Sequence, residues 1–177
     1  MKNKFFKLKI LIILIISLSY TNVLFSKEVN FKAIEILTYE EGNIIVGKNE
    51  VEAKIENEVE IFADKITYNK KEEKIIAEGN VRSIDLINDI EIKSKKAVFY
   101  KNKNQIITTG KTFFRINRDY NGQSSDVHFY INEKIIFSEK LSSFEDNLNN
   151  LIQVQSFRYS NNSQVLKAND IKFVDNK

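Results

Sequence analysis

Five tyrosines, Tyr39, Tyr68, Tyr100, Tyr130 and Tyr159, fall 29, 32, 30 and 29 residues apart, and each closes a short apolar run. A polar turn and a second apolar run follow each tyrosine. The first unit reads Ile34-Glu35-Ile36-Leu37-Thr38-Tyr39 before Ile44-Ile45-Val46-Gly47. The next reads Ala63-Asp64-Lys65-Ile66-Thr67-Tyr68 before Ile75-Ile76-Ala77-Glu78-Gly79-Asn80-Val81, and the third Lys96-Ala97-Val98-Phe99-Tyr100 before Ile106-Ile107-Thr108-Thr109-Gly110. The last two keep the tyrosine and the following run (Ile135-Ile136-Phe137, then Val165-Leu166) without the glycine. A period of this size is the mark of stacked supersecondary units that share one continuous core.

Within a unit the pattern is that of strands. Val51, Ala53, Ile55, Val59, Ile61 and Ala63 alternate with Glu52, Lys54, Glu56, Glu58, Glu60 and Asp64. A helix would scatter those charges round its axis, whereas a strand puts them on one face and leaves the other apolar. After Lys65 the apolar positions change parity to Ile66 and Tyr68, which predicts a β-bulge. The turns 69–73 and 101–104 have hairpin length. Gly47, Gly79 and Gly110 fall inside or at the end of the second strand, where glycine marks a bulge or a close backbone approach. The tyrosines follow apolar residues at i−2 (Leu37, Ile66, Val98 and Phe157, with His128 the exception) and are expected to point inward. Residues 138–150 are the one place where a short helix could form, but their Ser, Asn and Asp and the lack of an apolar stripe fit a loop or irregular strand at least as well.

The chain contains no cysteine and no proline, and only five glycines. That excludes disulfides, thiol chemistry and thiolate metal sites, and leaves Asn, Asp and Lys to form most turns. The net charge of +3 comes from Lys2, Lys4, Lys7 and Lys9, so residues 27–177 carry a formal −1. A near-neutral body with interspersed signs argues against nucleic acid as a partner. Those lysines precede the apolar run Ile10 to Leu18 and a polar stretch ending at Ser26. Residues 1–26 therefore read as a secretory signal peptide, with an uncleaved N-terminal anchor as the alternative, and residues 27–177 as one exported domain. An exported chain without cysteine fits a bacterial periplasm.

A search for chemistry finds little. His128 is the only histidine and has no second His or Cys to share a metal ion. No nucleophile elbow, phosphate loop or dinucleotide fingerprint occurs. No catalytic residue, metal or cofactor is expected.

The units Ala63-Asp64-Lys65-Ile66-Thr67-Tyr68 … Gly79-Asn80-Val81 and Ala97-Val98-Phe99-Tyr100 … Gly110 resemble the repeat of the organic-solvent-tolerance (OstA-like) family. That family includes LptA, the periplasmic part of LptC and the N-terminal periplasmic domain of LptD. The resemblance spans residues 31 to 116 and thins to the tyrosine rhythm over 124 to 177. It implies an all-β fold, an open β-jellyroll shaped like a taco, whose apolar groove takes the acyl chains of lipid A. It also implies lipopolysaccharide and other Lpt bridge proteins as partners, the latter joined through edge strands, in the periplasm and toward the outer membrane. Expected inward-facing, groove-lining positions are Val51, Ala53, Ile55, Ile61, Ala63, Ile66, Tyr68, Ile75, Ala77, Val81, Ile106 and Phe114. The alternatives are a structural or adhesive repeat protein with a dry core, and an anchored LptC-like component.

Overall fold

The computed structural model describes residues 28–56, 58–117, 120–146 and 150–174. The expected leader, residues 1–26, lies outside them. Sixteen strands follow in chain order: β1 Val29–Lys32, β2 Glu35–Tyr39, β3 Ile44–Ile55, β4 Val59–Asn69, β5 Lys74–Asp85, β6 Ile90–Tyr100, β7 Gln105–Thr108, β8 Lys111–Ile116, β9 Tyr120–Ser125, β10 His128–Tyr130, β11 Ile135–Ser138, β12 Ser142–Asp146, β13 Leu151–Val154, β14 Ser156–Ser160, β15 Val165–Asn169 and β16 Lys172–Val174. The only helical pieces among the described residues are two 3-10 turns, Glu40–Gly42 and Lys101–Lys103. The fold is all-β, and every pairing is antiparallel in one continuous sheet that curls into an open jellyroll.

Four long strands, β3 to β6, carry the bend. Their registers shift between Lys48 and Val51, between Phe62 and Lys65, and between Glu78 and Val81; the second lies beside the parity change noted at Lys65. On one side of these bulges lies a first wall, in the order β2-β3-β4-β5-β6-β7-β10-β11-β14-β15. On the other lies a second wall, β1-β3-β4-β5-β6-β8-β9-β12-β13-β16. After β6 no strand is shared. The chain instead crosses between walls at a spine, through residues 109–110, 126–127, 139–141, 155 and 170–171.

Glycine and asparagine make the spine feasible. Gly79 (φ +76°) and Asn80 (φ 46°) hold the β5 bulge, while Gly110 (φ 72°) and Asp126 (φ 51°) turn two of the crossings. L side chains other than Asn and Asp disfavour this left-handed region. Gly47 serves packing instead: a Cβ there would collide with the Phe31 ring. Inside the spine the hydroxyls of Thr108, Thr112, Ser124 and Ser142 bond to one another in pairs, at 2.7 Å for Thr112 to Thr108 and 2.7 Å for Ser124 to Ser142. Such pairs satisfy polar groups that the sharp bend would otherwise bury unpaired.

The free ends of the walls form two lips, and their turns are stitched by a repeating backbone bond. Along the first lip Lys70 N donates to Asn43 O, Lys101 N to Glu73 O, Ile131 N to Asn104 O and Asn161 N to Lys134 O, each at 2.9 Å. Leu86 N to Glu58 O and Asn117 N to Asp89 O, also at 2.9 Å, do the same along the second. The repeat is therefore structural as well as sequential, and it continues through β16, where the sequence pattern has thinned. Residues 142–146 are a strand, as the irregular-strand reading of 138–150 allowed. The expected single hairpin is refined: each unit bends at the spine, by bulges in the first half and by full breaks in the second.

Candidate functional site: an apolar trough between the walls

Alternation along each strand aims one set of side chains into the space between the walls. On the first wall, cross-strand register aligns Ile45, Tyr68, Ile75, Phe99, Ile106, Phe129, Ile136, Tyr159 and Leu166 in one inward row. On the second, Phe31, Ala53, Ile61, Ser83, Ile92, Phe114, Gly122, Phe144, Ile152 and Phe173 align similarly. Aromatic contacts join the walls. Phe114 stacks on Phe157 of the opposite wall at 5.2 Å, and Phe144 meets both edge-on at 5.6 and 4.9 Å.

All twelve positions expected to face inward are buried, none more than 8 % exposed, and they belong to one apolar cluster. Two features differ from expectation. Tyr68 and Tyr159 point inward, but Tyr39 is exposed, and Tyr100 and Tyr130 neighbour the inward Phe99 and Phe129 and so face outward. Tyr130 instead packs on Phe137 (5.7 Å), which also stacks on His128 (4.9 Å). The i−2 rule fails there because Val98 and His128 are themselves on the outer face. Sequence reasoning also passed over Ile90, Ile92, Phe99, Phe129, Ile136, Phe144 and Phe157, all buried. Runs such as Ile135-Ile136-Phe137 carry no alternation, so their parity is set only by pairing with Tyr159 and Phe129.

The interior is packed by its own side chains, and the lips are latched. Asn161 on the first lip donates from Nδ2 to the Asn88 carbonyl (3.3 Å), and its Oδ1 accepts from Asn117 Nδ2 (3.4 Å) on the second. Beside this latch a cleft of about 70 Å³ opens between Ile116, Tyr120, Phe144, Tyr159, Gln164 and Leu166. Midway along the second wall the Ser83 hydroxyl is buried without a hydrogen-bond partner among the described residues, an arrangement that costs about 1–3 kcal/mol. The inward row of the first wall runs on to Thr38 of β2, and that of the second ends on Phe31 and Phe173; Phe173 is 85 % exposed, and Ile36, on the same side of β2 as Thr38, is 50 % exposed.

The outer faces are charged and paired across strands. Lys54 Nζ lies 2.6 Å from Glu60 and 3.2 Å from Glu52, and Glu78 receives Lys96 (2.9 Å) and Lys65 (3.3 Å). Hydrogen bonds from Lys96 and then Lys65 hold the Glu78 carboxyl below its ordinary value. Burial pushes Glu91 upward, but hydrogen bonds from Arg82 and Lys93 outweigh it and leave this carboxyl lowered as well.

Among the described residues no group of three or more His, Cys, Asp or Glu could hold a metal ion. No helix among them is long and apolar enough to cross a membrane. No protein-family model matches the sequence, nor does any curated protein. Several solved structures match. Among them is LptH of Pseudomonas aeruginosa, described as the LptA-homologous periplasmic component of the lipopolysaccharide transport device, 8 % identical, with 85 % of this chain and 96 % of that one covered and a TM-score of 0.35. An overlap that loose carries no functional argument, and the site stands on its own geometry.

Proposed function

We propose that this chain is a periplasmic lipopolysaccharide-transport domain of the OstA-like kind, which shelters lipid A acyl chains between its walls and passes them toward the outer membrane. The observation that carries this reading is an apolar interior running the length of the sheet between walls that share strands only at the spine. Acyl chains need no directional partners, and each sheltered methylene contributes about 0.8 kcal/mol. Beyond β6 the walls meet through side chains, and the Asn161 bonds are among the ties at the lips. Hydrocarbon can replace such contacts without breaking backbone pairing. The unpaired Ser83 hydroxyl suits an acyl ester or hydroxyl within the trough.

The ends fit transfer between units. Repeat proteins normally finish on polar capping units, whereas Ile36 and Phe173 stand exposed on the end strands β2 and β16. Edge strands β1 and β2 at one end and β15 and β16 at the other lack outer partners among the described residues. Such edges accept a further strand by backbone pairing.

The close packing of the interior favours a second reading, a structural repeat with a dry core. A thiol pair separates the two, because the native chain has no cysteine. Asn117→Cys and Asn161→Cys would be joined by a short bis-maleimide after purification. The transport reading expects the open pair to retain lipopolysaccharide from cell envelopes and the bridged pair to lose it. Equal or absent retention in both forms supports the dry core.

A further inference from the structure

Across the outer face of the second wall, one cross-strand row reads Phe62, Arg82, Lys93 and Phe113, on β4, β5, β6 and β8. Two cations directly opposed on neighbouring strands repel. Glu91 relieves them by accepting from Arg82 Nε (2.6 Å) and pairing with Lys93 (3.1 Å), and it also takes Arg115 (3.3 Å). Three cations thus converge on Glu91, with Asp89 3.8 Å from Arg115 as the second carboxylate, and one positive charge is left over.

Two more cations border this row. Lys95 and Lys111 are exposed and make no ion pair among the described residues, and the Lys111 ammonium lies 4.8 Å from the centre of the Phe113 ring. The surface is hollow here because β6 leaves β8 after the Ser94–Thr112 pair and joins β7 from Ala97 onward, next to the β5 bulge. The hollow measures about 380 Å³, within the range of small-ligand sites at roughly 300–1,000 Å³. Phe113, 47 % exposed, lines it, and so does Asn80. The Asn80 amide nitrogen is held by Asp64 (3.0 Å), which leaves its carbonyl oxygen as an acceptor.

We propose that this hollow is a second binding site, for a phosphorylated saccharide. Lys93, Lys95 and Lys111 surround the phosphate with charge-assisted donors. The electron-rich face of Phe113 receives the C–H face of the sugar ring, and Asn80 accepts from a sugar hydroxyl. An acidic peptide cannot join by strand addition, since β4, β5, β6 and β8 are already paired on both sides. A bilayer surface is flat and does not fill a hollow. The site lies on the opposite side of the wall from the trough, so it stands or falls independently of the transport reading.

Titration of isotopically labelled protein by NMR with glucose 6-phosphate, inorganic phosphate and glucose tests it. Shifts should centre on residues 80–82, 93–95 and 111–113 for the sugar phosphate, with glucose at least about tenfold weaker. Lys95→Ser with Lys111→Ser should weaken the sugar phosphate about tenfold at an unchanged melting temperature. Phe113→Ser should weaken the sugar phosphate but not inorganic phosphate. Phosphatidylcholine vesicles bearing either a lipid-anchored sugar phosphate or phosphatidylglycerol identify the source. Tighter binding of the anchored sugar points to a glycolipid headgroup, and tighter binding of free glucose 6-phosphate to a soluble saccharide; either supports the site. Glucose binding as well as its phosphate, insensitivity to all three substitutions, or phosphatidylglycerol binding as well as the anchored sugar would overturn it.

Discussion

Gly122 and Phe114 stand directly opposite each other on β9 and β8, with Phe144 opposite Gly122 on the other side. The Phe114 ring lies where a Cβ on residue 122 would have to be, and neither of its aromatic neighbours leaves it free to swing away. Gly122→Ala therefore forces a methyl into a filled core, an overpacking cost of about 1–3 kcal/mol. Phe114→Ala deletes a ring only 3 % exposed, at about 3–5 kcal/mol. In the double variant the alanine methyl occupies space that the ring has vacated. The combined loss should then fall short of the sum by about 1–3 kcal/mol, far outside the scatter of roughly 0.5 kcal/mol for independent sites. Urea unfolding followed by circular dichroism measures the three losses, and an unchanged m-value certifies that the same cooperative unit unfolds in each. Should m fall, the last units are opening separately, as repeat proteins can, and hydrogen exchange of the β8, β9 and β12 amides supplies the numbers instead. An additive cycle, or a neutral Gly122→Ala, would refute the idea that the ring fills the glycine's place and zips the walls.

Three further outcomes follow from the same geometry. Gly79→Ala should cost about 1–3 kcal/mol, combining positive φ with a clash against the Asp64 carboxyl, whereas Gly110→Ala, with open space around it, should cost less; thermal melts rank the two. Glu91 has a folded-state value below its unfolded value of roughly 4.3. Its stabilisation is complete above that pH and disappears as pH falls through the lower folded value, so Glu91→Gln should narrow the gap between urea midpoints at pH 7 and pH 3. Phe173→Lys should leave the melting temperature unchanged, because the ring is exposed, yet abolish concentration-dependent association in sedimentation velocity; a stable monomer in the unaltered chain would argue against end-to-end contact.

Local pattern alone determined the all-β character, the thirty-residue unit, the turns, a bulge beside Lys65, which the structure places just before it, and the inward side of β3 and β4. In those strands one face must be apolar and the other wet, so alternation dictates orientation from Val51 to Ala63. Local pattern could not orient Tyr100 or Tyr130, nor decide which of Ile135, Ile136 and Phe137 enters the core, because a run apolar on both faces satisfies either parity. The basic hollow was equally hidden. Arg82, Lys93 and Lys111 are far apart along a near-neutral chain, and they gather only when β5, β6 and β8 pair in register. Tertiary structure decided these points because the two faces of a strand acquire different surroundings only once its neighbours are in place, and the bend at the spine determines which face is enclosed.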